Sequence, residues 1–127
     1  MPSLLAIVLD RPELSRFVAA LEAAGVASLL AGAEFLTVFA PIDADSPDDH
    51  APLPRQAQLR QHMCPGQAMA IDLLDRSPLT TLQGTSLAIG NGAGLCVDGV
   101  FIIDADIEAS NGVLHVIAGW LAPHVDA

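Results

Sequence analysis

Positive charge is scarce in this chain: five lysine and arginine residues stand against fifteen acids in 127 residues, for a net charge of −10. A surface of that sign repels phosphate backbones and anionic lipid, which argues against nucleic acid or a membrane surface as a partner. Long apolar runs are missing as well. None reaches the roughly 20 residues of a membrane span, so membrane insertion is not expected. The first nine residues, Met1 to Leu9, have no basic stretch and too short an apolar core for a signal peptide. Two compartments fit that: cytoplasmic if the chain is full length, extracellular or periplasmic if it is a trimmed mature domain. Cysteine is limited to Cys64 and Cys96, too few for a disulfide scaffold. Two separate buried thiols are expected, with a bond between them as the alternative.

Signatures of catalysis are absent too. The sequence has no G-x-S-x-G elbow, no H-E-x-x-H, no C-x-x-C and no Walker loop. Gly90-Asn91-Gly92-Ala93-Gly94 has the composition of a phosphate loop, but strand residues flank it and no helix follows, so it reads as a hairpin turn. Asp43, Asp45, Asp48, Asp49 and His50 could offer oxygen ligands to a hard cation. Their spacing is not that of an EF-hand, and Pro47 stiffens the middle, so a hydrated acidic loop is expected and no metal is assigned. No catalytic residue and no cofactor is assigned either.

What is present suits one packed domain spanning 1–127. Apolar residues make up 52% and charged residues 16% of the chain, enough for a core and too few charges for wholesale disorder. Pro12 to Ala24 predicts an amphipathic helix: proline in the first turn, Leu14, Phe17, Val18 and Leu21 at helical spacing, and Gly25 as the stop. Val26 to Ala31 predicts a second short helix. Thr37 to Pro41 is a strand, 46–54 a proline-rich loop, Pro54 to Gln61 weakly helical, and Ala68 to Leu74 a helical turn. From Thr80 onward, short Val, Ile and Leu runs alternate with Asp98-Gly99 and Asn111-Gly112, dipeptides suited to tight hairpins. The expected architecture is α+β: a mainly antiparallel β-wedge or sandwich, with short helices from the N-terminal half packed on it.

The run Ala105-Asp106-Ile107-Glu108-Ala109-Ser110-Asn111-Gly112-Val113-Leu114-His115-Val116-Ile117 resembles the C-terminal signature of fasciclin-type domains, N-G-V-I-H-V-I-D. Thr37-Val38-Phe39-Ala40-Pro41 with Asp43 and Ala44 is similar to the family's other signature, T-V-F-A-P-T-D-A-A-F. Ile42, Asp45 and Ser46 depart from it. His62 and Pro65-Gly66 match a Tyr-His-V-V-P-G stretch in which Gln61 replaces the tyrosine. The segment before it is shorter than usual, implying lost helical cover. The resemblance implies structural roles for Asp43, His62, Asn111, Gly112 and His115, with His62 tying its strand to the Asp43 region.

It also implies a non-enzymatic binding module for adhesion or protein–protein contact, its protein partner unidentified. Asp-Ile segments serve partner recognition in the family, and the matching residues are Asp104, Asp106 and Ile107, Asp72 and Leu73, and His62. Alternation along a strand favours burial of Ile107. The alternative is a carrier or sensor of a small apolar ligand, a lipid or carotenoid, in a cleft near 46–66 lined by Met63, Cys64, Met69 and Leu73. Ordinary core is the plainer role for those four.

Overall fold

The computed structural model describes residues 2–32, 35–42, 59–73, 75, 79–91, 94–119 and 121. The first element is one the apolar pattern did not single out. Leu4–Leu9 forms helix α1, whose Ser3 side chain accepts the Ala6 N–H at 3.2 Å as an N-cap. Pro12–Leu14 opens the next helix as a 3₁₀ turn, and Ser15–Ala24 continues it as α2. Gly25 ends it in the left-handed region (φ +73°), with the Val26 N–H returning to the Leu21 carbonyl at 3.0 Å. Glycine enters that conformation without the Cβ clash other residues meet. Ala27–Ala31 is a 3₁₀ helix.

A six-stranded sheet carries the rest. Its strands are β1 (Leu36–Pro41), β2 (Met63–Pro65), β5 (Ile89–Asn91), β6 (Leu95–Val97), β7 (Val100–Ala109) and β8 (Gly112–Ile117), in the order β2-β1-β8-β7-β6-β5. Two further strands, β3 (Leu79–Thr80) and β4 (Ser86–Leu87), pair with each other, and Ala70–Leu73 is a single helical turn, α3. Of the weakly helical stretch 54–61, Leu59 and Arg60 are helical and 54–58 lies outside the described residues.

The antiparallel pairs β5–β6, β6–β7 and β7–β8 match the expected, mainly antiparallel sheet; the β1–β8 pair is its exception. Those strands run parallel, Leu36 opposite Gly112 through Pro41 opposite Ile117. Every residue of both strands is buried, the signature of strands covered on both faces. Period-two alternation then sorts their side chains into two cores. Leu36, Val38, Ala40, Leu114 and Val116 join the helices' Leu4, Leu14, Phe17 and Leu21. Phe39 and Ile117 point the other way, among Cys64, Leu73, Leu87, Val97 and Leu121. The sheet is the middle layer; the N-terminal helices cover one side of it, and α3 lies with the core on the other.

Asn111 fastens that layer. Its Oδ1 accepts the Leu4 N–H at 2.8 Å, and its Nδ2 donates to the Leu30 and Gly32 carbonyls at 2.8 and 3.0 Å. The β7–β8 turn falls at Ser110-Asn111, since Ala109 already pairs with Gly112. Gly112 is needed for closeness: a Cβ there would land on the Leu36 carbonyl oxygen, and φ is +151°. Cys64 and Cys96 are both free; Cys64 is buried as expected, but Cys96, on the short β6, is only partly so. They sit on β2 and β6, four strand positions apart, whereas a bridge needs Cα atoms within about 7 Å.

Candidate functional site

β7 is irregular where it passes His115. Its pairing with β8 runs Asp104 opposite Val116 and then Ile107 opposite Leu114, so Ala105 and Asp106 together face His115. That is a β-bulge, which adds a residue and re-aims its side chain. Asp106 takes φ +60°, a conformation aspartate tolerates better than most residues. Its backbone N–H donates to His115 Nδ1 at 3.2 Å, and its carboxylate accepts the Ala70 N–H at 2.7 Å, at the start of α3. His115 Nε2 lies 2.8 Å from the Ala68 carbonyl. Because Nδ1 accepts, the proton sits on Nε2, which donates to Ala68. One histidine therefore joins the bulge to the chain leading into α3.

Burial pushes the His115 pKa below its usual 6.5, opposed by the hydrogen bond to Ala68 and the charge of Asp106. Its ring stacks on Phe39, centroids 5.6 Å apart. Thr37 supports the same segment from beneath: Oγ1 donates to the Gly66 carbonyl and accepts the Ala68 N–H, both at 2.8 Å. Above this framework Ile71 is 84% exposed. An isoleucine that open is unusual for an apolar side chain with a core nearby.

The expected partner residues thus separate. Asp106 and Asp72 meet at this corner, Asp72 accepting the Met69 N–H at 3.3 Å. Asp104 is exposed further along β7, paired with Arg11 at 3.3 Å, which also reaches Glu13 at 3.1 Å. Ile107 is half-buried against the helix-side core. Leu73 and His62 are fully buried, so neither can touch a partner; Ile71 occupies the surface position expected of Leu73. His62 Nε2 accepts the Leu121 N–H at 3.0 Å, and its ring lies against Phe17 at 6.0 Å. Its expected neighbour Asp43 lies outside the described residues, as do the rest of the acidic cluster, His124 and Trp120.

The four residues expected to line a cleft do not share a face. Met63 is buried in the helix-side core, Cys64 and Leu73 in the other, and Met69 is half-buried. Cys64 is held as a thiol, burial pushing its pKa up to about 12. Gln61 is also wholly buried, and among the described residues neither its Nε2 nor its Oε1 finds a partner. Among the described residues no group of three His, Cys, Asp or Glu side chains stands ready for a metal.

The sequence profile of the Fasciclin domain matches residues 12–123. The chain belongs to the fasciclin family. A relative in Synechocystis sp., described as "Uncharacterized protein sll1735", is 32% identical over 126 residues, covering 92% of this chain and 95% of that protein. The structure of a FAS1 domain pair from the insect cell adhesion molecule Fasciclin I shares the fold, with a TM-score of 0.78 at 19% identity. That match covers 96% of this chain and 51% of the pair, so the chain spans about half its length. Fasciclin domains are generally non-enzymatic binding modules, and the short helices on a curled, mostly antiparallel sheet are the family's architecture.

Proposed function

We propose that this fasciclin domain is a protein-contact module of adhesion type, and that it meets its partner through the corner where α3 lies against the β7 bulge. One observation carries the reading: the 2.7 Å bond from Ala70 to Asp106 joins two segments 36 residues apart beneath the exposed Ile71. An apolar side chain held out on a hydrogen-bonded base, with Asp72 and Asp106 bonded to the same segment, has the composition of a small interface centre with a polar rim. The described histidine of the corner has both ring nitrogens committed to backbone groups, which suits holding shape over moving protons. The likeness to an insect cell adhesion molecule is in keeping with this use of the fold.

The carrier reading has less behind it. Three of its four expected lining residues are divided between two closed cores.

Photo-crosslinking from position 71, with host surface extract as bait, tests the contact. The expected result is a protein adduct that Ile71→Asp and Asp106→Ala both diminish. A capture pattern unchanged by both substitutions overturns the site, and fractionation that finds the protein only in cytosol overturns adhesion.

A further inference from the structure

We propose that Asp106 is a two-position carboxylate: on acidification it leaves the Ala70 N–H for a protonated His115, and so loosens the α3 turn that carries Ile71. The inference rests on the contact proposed above and adds its regulation.

The geometry leaves few choices. His115 can take a proton only at Nδ1, because Nε2 already donates to the Ala68 carbonyl. Once protonated, Nδ1–H confronts the Asp106 backbone N–H that it had accepted, donor against donor at 3.2 Å. That hydrogen bond must break. The same residue offers an acceptor in its carboxylate, whose charge already acts on the ring and which is now engaged with Ala70 at 2.7 Å. A charge-assisted bond to imidazolium is stronger than one to a neutral amide. One proton is taken up from water at Nδ1, and no covalent bond other than the new N–H changes. Asp106 is exposed, so solvent stands one residue away.

The surrounding groups set the direction. Asp106 is the charged group that acts on His115 from β7, and Asp104 and Glu108 lie further along that strand. α3 contributes Asp72, whose carboxylate turns back to the Met69 N–H just before the turn begins. The only titratable side chain of β2 is the Cys64 thiol, which stays neutral at these pH values. β1 has none; it presents the stacked Phe39. Among the described residues the charges on β7 and α3 are negative, but Asp104 is paired with the Arg11 cation, which leaves Asp106 to favour the imidazolium once the cost of burial is met. Without Asp106, the first residue of α3 loses its acceptor. The rest of the turn stays pinned by the Asp72 carboxylate on the Met69 N–H, by the Asp72 and Leu73 N–H groups on the Met69 carbonyl, and by buried Leu73, so the loosening falls on its first residues, Ala70 and Ile71.

The free protein tests this by NMR between about pH 7.5 and about pH 5, the span in which histidine titrates. Imidazole ¹⁵N shifts should show His115 gaining a proton at Nδ1 with a midpoint below 6.5. Exchange of the Ala70 amide, corrected for its intrinsic pH dependence, should accelerate roughly tenfold with that same midpoint, as expected for loss of one charge-assisted hydrogen bond. Asp106→Asn retains an oxygen for Ala70 and tolerates the left-handed backbone; it should hold the exchange level and lower the His115 midpoint. Asp106→Gly, free of backbone strain, should exchange fast at Ala70 throughout. Ala70 exchange that stays level through the His115 titration, or follows a carboxylate midpoint near 4, overturns the proposal. Acceleration of the sheet amides as large as that of Ala70 at the His115 midpoint also overturns it, because the turn would then open only with the whole fold. No partner is present in these measurements. Failure here leaves the Ile71 contact standing, and failure of the crosslinking leaves the exchange standing.

Discussion

Gln61 and His115 are both buried polar side chains, and the difference between them sets opposite expectations. His115 has a backbone group on each ring nitrogen; Gln61 has none among the described residues. A buried amide without partners forfeits its hydration, so Gln61→Met, which keeps the length, should raise stability by about 1–2 kcal/mol in urea unfolding. A loss of similar size would mean that the amide is bonded after all. For His115 the sign follows from its lowered pKa. Below pH 6.5 the unfolded chain takes up a proton that the folded chain refuses, so the group's contribution is present above 6.5 and is lost as pH falls through the folded value. Melting temperature should therefore decline on acidification below 6.5, and His115→Gln, if folded, should flatten that limb. At this scale the sequence was readable in part. It marked His115 as structural on its strand face, but a single chain gives no sign of which nitrogen accepts, because both partners come from elsewhere in the fold.

The seam between β1 and β8 decides how closely the two central strands approach. Gly112 opens β8 against the Leu36 carbonyl, where a Cβ would overlap it. Gly112→Ala should cost about 3 kcal/mol or more, through the overlap and the positive φ together, read as a drop in denaturation midpoint with unchanged m-value. A loss below about 1 kcal/mol, the ordinary cost at an open turn, would show that the seam yields easily. Asn111-Gly112 looked like a hairpin dipeptide, and a hairpin is there. What local chemistry could not show is that the glycine serves a strand 76 positions earlier. The helix ending at Gly25 was legible for the opposite reason: its apolar spacing, first-turn proline and stop all act within one element.

Taken whole, the molecule is a sheet between two cores, and Asn111 is the one described side chain that bonds both α1 and the end of the second 3₁₀ helix. Asn111→Ala would strand an amide N–H and two carbonyls at once, and should cost about 3 kcal/mol or more by thermal or urea unfolding. Loss of amide protection should concentrate in α1 and 27–31. If protection instead falls evenly across the sheet, Asn111 is no fastener of the helical layer. The net charge of −10 acts at this scale also. For the contact proposed above, it favours a partner surface that accepts an acidic face.

The sequence alone determined the elements whose causes are local: α2 with its proline and glycine, the hairpin at Asp98-Gly99, the presence of a second hairpin whose turn lies one residue before Asn111-Gly112, the α+β class, and, through its two signatures, the family. Only the tertiary structure decided that β1 and β8 run parallel, that β7 bulges at Asp106, that Leu73 is buried while Ile71 is not, and that His115 ties the bulge to α3. Each of those depends on groups brought together from dozens of positions apart. Periodicity records which way a side chain points along its own element, and it holds no information about which distant backbone atom will be waiting there.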